Sequence, residues 1–366
     1  MKLLAIHTVN WLGADHTRES AVDIWRCYRP IQQLKQHTDW HIEEQPTFIK
    51  GIDKYANSSE FNEEEFEKAA KYLGQFDIVW SSYFPDTTPY LLMKVVHDRY
   101  GTKFVLDCDD DLFHVNPDNP FWTKTDHEHV WYMQNMIKDV GWISTTTERL
   151  ADTFRQRRRP EGHADDTVTI LPNYMSDDYK HGPVDNGDKV VIGYFGGASH
   201  FADLNETRCM RAIKRLMRKY RNVHFQTVNM PVVEGLPKAR SHYIDGKRGL
   251  PWITELFPTL NFDIAIVPLQ DNIFNYGKSN IKWMECTRMG AATVCSNVPP
   301  YSDLSDDVTV KVSNKYYDWY NALEALILDA DKRKQLVENA QKQLASQRLE
   351  DHWPEYKEFF ERIHAA

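Results

Sequence analysis

Short apolar runs rich in β-branched residues alternate along this chain with longer stretches whose apolar positions repeat at helical spacing. LLAIHTV, FDIVWSSY, KFVLDCD, GWISTTT and TVTILPN predict successive strands. SAVDIWRCYRPIQQLKQH, EEEFEKAAKYL and TPYLLMKVVHDRYG predict the helices between them. Continuous apolar runs are what parallel strands buried on both faces require, and the helices supply the crossovers. The polar stretch TILPNYMSDDYKHGPVDNGDK interrupts the pattern and sets a domain boundary near residues 175–188. The alternation then resumes with KVVIGYFG, a helix over about 205–220, VHFQTV, FDIAIVPL, a helix over about 279–289, ATVCS and VTVKVS. From Tyr316 onward the chain reads as helix and closes on the aromatic-rich DHWPEYKEFFERIHAA. The expected organisation is α/β: a doubly wound domain over 1–180, a second over 181–345, and a terminal helix over 346–366 that docks on another surface.

Composition narrows the classes. With 366 residues, 42% hydrophobic positions and a formal charge of −9, the chain has material for two cores and no overall attraction to nucleic acid. No run approaches the roughly 18 apolar residues of a spanning helix, and His7 and Asn10 interrupt the start before an export signal forms. The five cysteines, Cys27, Cys108, Cys209, Cys286 and Cys295, show no CxxC spacing. An odd, scattered set argues for reduced thiols in a cytoplasm rather than a disulfide frame or zinc ribbon.

The chemistry concentrates in FDIAIVPLQDNIFNYGKSNIKWMECTRMGAATVCSNVPPYSDL. Gly277, Lys278 and Ser279 resemble the end of a phosphate loop, but Asn272 stands where a Walker A motif needs glycine. Ser279 is positioned to cap a helix that Gly290 would end, leaving backbone N–H groups and a positive dipole end toward an anion. Lys278, Lys282 and Glu285 then share one stripe. A diphosphate at the N-terminus would place a ribose about one turn, roughly 5 Å, farther along, within reach of the Glu285 carboxylate. A surface Lys–Glu pair on an ordinary helix explains the same spacing.

Three further motifs are weaker. In IGYFGGASHFADL, Gly193, Gly196 and Gly197 lack the dinucleotide G-x-G-x-x-G spacing but permit close approach of a ligand, with His200 and Asp203 beyond them. In KFVLDCDDDLFHVNPDNPF, Asp107, Asp109, Asp110 and Asp111 crowd a strand end. They offer D-x-D for a divalent cation, or caps and hydroxyl contacts. His114, His127 and His129 fit no HExxH frame, so a zinc site is not expected there. RQRRRP, Arg155 to Pro160, reads as a solvated loop or as a phosphate contact for a nucleic-acid acceptor.

Taken in order, these pieces resemble a GT-B glycosyltransferase of the family 4 kind, in its bacterial and phage form. GKSNIKWMECTRMGAATVCS is similar to that superfamily's donor-site helix, IGYFGGASHFADL to the opening of its C-terminal domain, and LDCDDDLF and TTTERLADTF…ILPN to segments of its members. The resemblance implies two Rossmann-like domains facing a cleft, a C-terminal helix crossing back to the first, and sugar transfer, usually retaining, from a nucleotide sugar such as a UDP-sugar without an obligatory metal. It implies Lys278, Lys282 and His200 as the catalytic groups that stabilise the leaving diphosphate, with Gly196, Gly197, Ser279, Asn280, Tyr276 and Glu285 holding the donor. Gly13, Arg18, Asp107, Asp109 and Asp110 would meet the acceptor, a glycan or a hydroxymethylated base in phage DNA. One departure stands out: Gly277 lies eight residues before Glu285, where many members carry a second glutamate that touches the donor sugar. That role would pass to Asn275, Tyr276 or Lys278. Competing readings are a metal-dependent GT-A transferase using D-x-D and a non-catalytic module that binds nucleotides or sugars.

Overall fold

The computed structural model describes residues 1–7, 21–45, 63–82, 87–115, 127–182, 185–197, 200–230, 235–246 and 250–366. The predicted contacts Gly13 and Arg18 lie outside the described residues. The chain divides into two compact units, one of Met1–His114, Thr125–Tyr174 and Leu349–Ala366, the other built on Met175–Arg348. Among the described residues, each unit carries one six-stranded sheet with parallel strands throughout.

In the first unit the strands are β1 (Lys2–Ile6), β2 (His41–Gln45), β3 (Ile78–Ser82), β4 (Lys103–Cys108), β5 (Trp142–Thr145) and β6 (Val168–Ile170), ordered β2-β1-β3-β4-β5-β6. β1 to β3 register through Leu3 on Ile78 and Ile6 on Ser81. The second unit contains β7 (Val190–Phe195), β8 (Val223–Val228), β9 (Ser241–Ile244), β10 (Ile264–Val267), β11 (Ala292–Ser296) and β12 (Val310–Val312), ordered β12-β11-β10-β7-β8-β9. In each sheet the chain winds outward from its first strand on one side, through β2 in the first unit and through β8 and β9 in the second, before crossing to the other side. That reversal creates a switch point at the carboxyl ends of two neighbouring strands, where ligands bind in such sheets.

Two strands escape the apolar-run reading. HIEEQ of β2 and SHYI of β9 carry polar residues because each is a sheet edge, partly exposed along its length. The helices His127–Asp139 and Trp252–Leu256 also go beyond the predicted elements. The helix predicted over 205–220 is two, Phe201–Glu206 and Cys209–Lys219, broken where Arg208 adopts a left-handed φ of 65°. RQRRRP belongs to the helix Glu148–Arg158 and the turn after it, which corrects the loop reading.

The core of the first unit packs Leu3, Ala5, Ile78 and Trp80 under Ile31 and Leu34 of the helical stretch from Ala21 to His37. Tyr356, Phe359, Phe360 and Ile363 of the last helix, Leu349–Ala365, complete that core, with the Trp80 and Phe360 rings edge to face at 5.1 Å. In the second unit Ile192, Phe225, Ile264 and Val294 pack against Ile213, Trp319 and Leu323. Gly193 in β7 is a packing glycine: a Cβ there would stand 2.0 Å from the Phe262 ring.

A buried ion pair ties the first sheet to its covering helix. Arg26, fully buried, donates Nε and NH2 to the two oxygens of Asp107 at 2.9 and 2.8 Å, and NH1 to the Leu171 carbonyl at 2.6 Å. Ser144 Oγ donates to the same carboxylate at 2.6 Å. Asp107 therefore faces inward with both oxygens occupied, which corrects its assignment as an acceptor contact. Removing one partner of such a pair leaves a lone charge in the interior, so Asp107→Ala should destabilise the protein by about 3–5 kcal/mol, whereas Arg26→Met with Asp107→Leu should recover most of the loss. Urea denaturation of the three proteins checks this; a single variant within 1 kcal/mol of the parent by the linear extrapolation would contradict it.

Candidate functional site

The switch point of the second sheet lies between β7 and β10, and the glycine motif and the Lys–Glu helix meet there. The helix Ile281–Met289 carries Lys282 in its first turn and Glu285 one turn farther on, and it ends at Gly290 with φ 83°. Asn280 rather than Ser279 is its N-cap residue, and the Asn280 side chain makes no capping bond. Met284 N–H donates to the Asn280 carbonyl at 3.1 Å, starting the helical ladder.

Lys282 turns back onto the strand. Its Nζ donates to the Phe195 carbonyl at 2.7 Å and stands 5.1 Å from the Tyr194 ring centroid and 5.5 Å from that of Phe195. This approach requires Gly196, because a Cβ there would lie 2.8 Å from Lys282 Nζ and 2.9 Å from Tyr194 Oη. Burial pulls the Lys282 ammonium down to about 8, against the opposing pull of Glu285 and Asp203. A cation carrying that desolvation cost gains most from an anion placed beside it.

His200 is the second group. Its Nδ1 lies 2.9 Å from Asp203 Oδ2, and Tyr194 Oη donates to its carbonyl at 3.4 Å. Burial first, then the charges of Lys282 and Lys278, hold the imidazole down at about 4, so it is neutral at pH 7. Asp203 faces the protein rather than a ligand: its Oδ1 accepts from Gln270 N–H at 2.8 Å and from Asn275 Nδ2 at 3.3 Å. Burial raises this carboxyl, but the His200 contact and the Gln270 amide more than offset that and keep it below the usual range. Asp203 thus joins the segment after β7 to the segment after β10 across the switch point.

Glu285 is buried, 6% exposed, and its Oε1 accepts the indole N–H of Trp252 at 3.2 Å. Trp252 leans on Phe195 with ring centroids 5.3 Å apart. The surface-pair reading of Lys282 and Glu285 therefore fails: the carboxylate is enclosed by an aromatic, and the ammonium reaches a strand end. Lys278 sits over the Phe274 ring at 4.6 Å, and the Tyr276 hydroxyl donates to Asp271. Gly197 borders the site, its carbonyl accepting from His200 N–H at 3.0 Å. The structure thus brings together Gly196, Gly197, His200, Lys282 and Glu285. Trp252 and Tyr194 were missed by sequence reasoning, since an aromatic in PWITEL or IGYFGG has no spacing that separates a site wall from core.

The other sequence-predicted groups lie in the first unit. Asp111 is buried and closes a turn, accepting from Phe113 N–H at 3.1 Å and lying 2.8 Å from His114 Nδ1. Asp109 and Asp110 are half-buried. With Asp107 on Arg26 and Asp111 in its turn, neither D-x-D spacing presents two outward carboxylates. The arginine run is paired within the protein as well. Arg155 meets Glu148 and Asp152, Arg159 meets Asp165, Arg157 lies over the Phe113 ring, and Arg158 is buried on the carbonyls of Ile137 and Gly141. No helix among the described residues is long and apolar enough to cross a membrane.

A scan against protein-family models finds no match, and neither does a search of curated proteins by sequence. Solved structures do match in shape. Sucrose-phosphate synthase from Thermosynechococcus elongatus aligns over 100% of both chains at a TM-score of 0.66 and 10% identity. Anabaena HepE, solved in complex with UDP and glucose, covers 99% of this chain and 100% of its own at a TM-score of 0.63 and 12% identity. A glycosyltransferase from Rickettsia africae covers 99% and 98% at a TM-score of 0.60 and 11% identity. At such identities the likeness establishes fold: two Rossmann-like α/β units of the GT-B class.

The lowered Lys282 value has a measurable consequence for stability. Between about pH 8 and the ordinary lysine value the unfolded chain holds a proton that the folded chain has released, so this group adds stability as pH rises through that window. Unfolding free energies of the parent and Lys282→Met should therefore diverge between pH 7.5 and 10, the parent gaining relative to the variant. A constant difference across that range would show that the ammonium is not desolvated.

Proposed function

We propose that this chain is a nucleotide-sugar-dependent glycosyltransferase whose donor diphosphate sits against Lys282, Gly196 and His200, with the ribose hydroxyls on Glu285. The observation that carries this reading is the desolvated Lys282 ammonium held over Gly196 at a sheet switch point, one helical turn from a buried carboxylate. As the bond between sugar and diphosphate breaks, negative charge grows on the leaving group, and a preorganised cation in a water-poor site lowers that barrier. Neutral His200, its single N–H held by the Asp203 carboxylate, borders the diphosphate without adding a second buried charge. The first turn of the helix Ile281–Met289 adds backbone N–H groups to the same anion. The UDP and glucose of the HepE complex favour a UDP-linked hexose as donor. For the acceptor, the internal pairing of Arg155, Arg158 and Arg159 leaves little free cationic surface for duplex DNA, so a glycan hydroxyl is the favoured class. The D-x-D alternative loses its support with Asp107 on Arg26.

Release of UDP from a panel of UDP-sugars, with and without glycan acceptors, tests the proposal. Turnover that Lys282→Met lowers by two orders of magnitude or more supports it. Tight UDP binding without turnover would instead favour a non-catalytic binding module, and absence of both would overturn the donor-site assignment.

Two variants separate the roles. Glu285→Ala should weaken UDP binding by about 1–3 kcal/mol through lost charged hydrogen bonds to the ribose, measured by calorimetric titration; equal affinity would remove Glu285 from the site. Lys282→Met should reduce kcat far more than it weakens binding of uridine, which carries no phosphate. UDP affinity of the parent should also fall as pH rises through about 8, where Lys282 loses its proton, and this dependence should vanish in the variant.

A further inference from the structure

The first sheet has its own switch point, and a mixed set of ligating atoms gathers beside it. His7 is the first residue past the end of β1, and Asp23 and Cys27 stand four residues apart on the helical stretch that covers that strand. His7 Nδ1, an Asp23 carboxylate oxygen and Cys27 Sγ all lie within 4.8 Å of one another, and all three residues are buried. His7 Nδ1 is 3.0 Å from Asp23 Oδ2. Its other nitrogen, Nε2, is 2.8 Å from Glu44 Oε2 on β2.

We propose that His7 Nδ1, the Asp23 carboxylate and Cys27 Sγ form a binding site for a zinc-type divalent cation, with Glu44 orienting the His7 ring. One nitrogen, one oxygen and one sulfur ligand suit borderline-soft Zn2+ rather than Mg2+ or Ca2+, which prefer all-oxygen shells. Bonds of about 2.0–2.3 Å place neighbouring ligand atoms about 3.5 Å apart, so the widest pair must close by roughly 1 Å, within reach of side-chain rotation. A carboxylate on the far ring nitrogen is the usual companion of a ligating histidine, because it fixes the tautomer that leaves the near nitrogen for the metal. Glu44 is itself held by Lys35 and by Gln32 Nε2 at 3.3 Å, so its orientation is set before any metal arrives.

Without metal, the two ring nitrogens of His7 face carboxylate oxygens at 3.0 and 2.8 Å, and because a carboxylate only accepts, each nitrogen carries a proton; Cys27 is a buried free thiol. The cation replaces the Nδ1 proton of the imidazolium and the thiol proton, both of which pass to solvent. Replacing two protons by one dication leaves the net charge of the site unchanged, so the interior gains no uncompensated charge. Among the described residues, the charged and polar groups around this exchange include Asp23, Cys27 and Tyr28 on the helical stretch, Glu44 on β2 with Lys35 and Gln32 upon it, and Asp107, whose field reaches Cys27.

Titration of chelator-stripped full-length protein with zinc chloride, by calorimetry in two buffers of different protonation enthalpy, counts the released protons. The expected result is one site per chain releasing about two protons, with affinity rising as pH rises. Cobalt(II) as a spectroscopic stand-in should give a thiolate-to-cobalt absorption that Cys27→Ser removes. Glu44→Gln should keep that absorption and weaken zinc binding by about 10- to 100-fold. No stoichiometric binding, a proton count near zero, or a cobalt spectrum without a thiolate band would each overturn the site from the parent protein alone. Zinc binding that Cys27→Ser leaves unchanged would do the same, by placing the metal elsewhere.

Discussion

The hydrogen bond from Lys282 Nζ to the Phe195 carbonyl, made over a glycine, is the contact around which the second unit's site is organised. Burying an ammonium costs several kcal/mol unless it is paired. Here one charged hydrogen bond, worth about 1.5–3 kcal/mol, and the faces of Tyr194 and Phe195 offset part of that cost. Glu285 offsets more, as one of the charges that pull the lysine back up. The balance remains unfavourable, since the group stays easier to deprotonate than an ordinary lysine. An anion seated beside it would reverse that shift, so binding of a diphosphate and protonation of Lys282 are two faces of one equilibrium.

The neighbouring contacts follow from holding that lysine in place. Asp203 accepts from Gln270 N–H and Asn275, fastening the segment beyond β10 to the helix that follows Gly196. Its other oxygen fixes His200, which the nearby lysines help keep neutral. Glu285 is fixed from the opposite side by the Trp252 indole. In the first unit a comparable position past β1 holds His7 among Asp23, Cys27 and Glu44, while Arg26 and Asp107 anchor the same helical stretch to β4. Both sheets thus place buried ionisable groups at the topological reversal, where strand ends leave room that apolar side chains do not fill.

Most of this architecture was legible in the sequence wherever burial forces a pattern. Central strands such as IVWSS and IAIV must be apolar on both faces, and their runs stand out; HIEEQ and SHYI sit at sheet edges, accept polar residues, and do not. Helical spacing placed Lys282 and Glu285 on one stripe, because that geometry is local. What they touch is not local: Phe195 lies 87 residues before Lys282 and Trp252 lies 33 before Glu285. The aspartate cluster misled for the same reason, since nothing in LDCDDD reveals that Asp107 meets an arginine 81 positions away. The arginine run likewise looks like a free cationic patch until the helix Glu148–Arg158 brings Glu148 and Asp152 to Arg155.

The proposal that the leaving diphosphate of a nucleotide sugar rests on Lys282 is tested by a crystal structure of the protein with UDP. Phosphate oxygens are expected within hydrogen-bonding distance, about 2.7–3.2 Å, of Lys282 Nζ and of a backbone N–H at Gly196 or Gly197, with both ribose hydroxyls on Glu285. UDP bound with its phosphates away from Lys282, or with its ribose on another carboxylate, would contradict it.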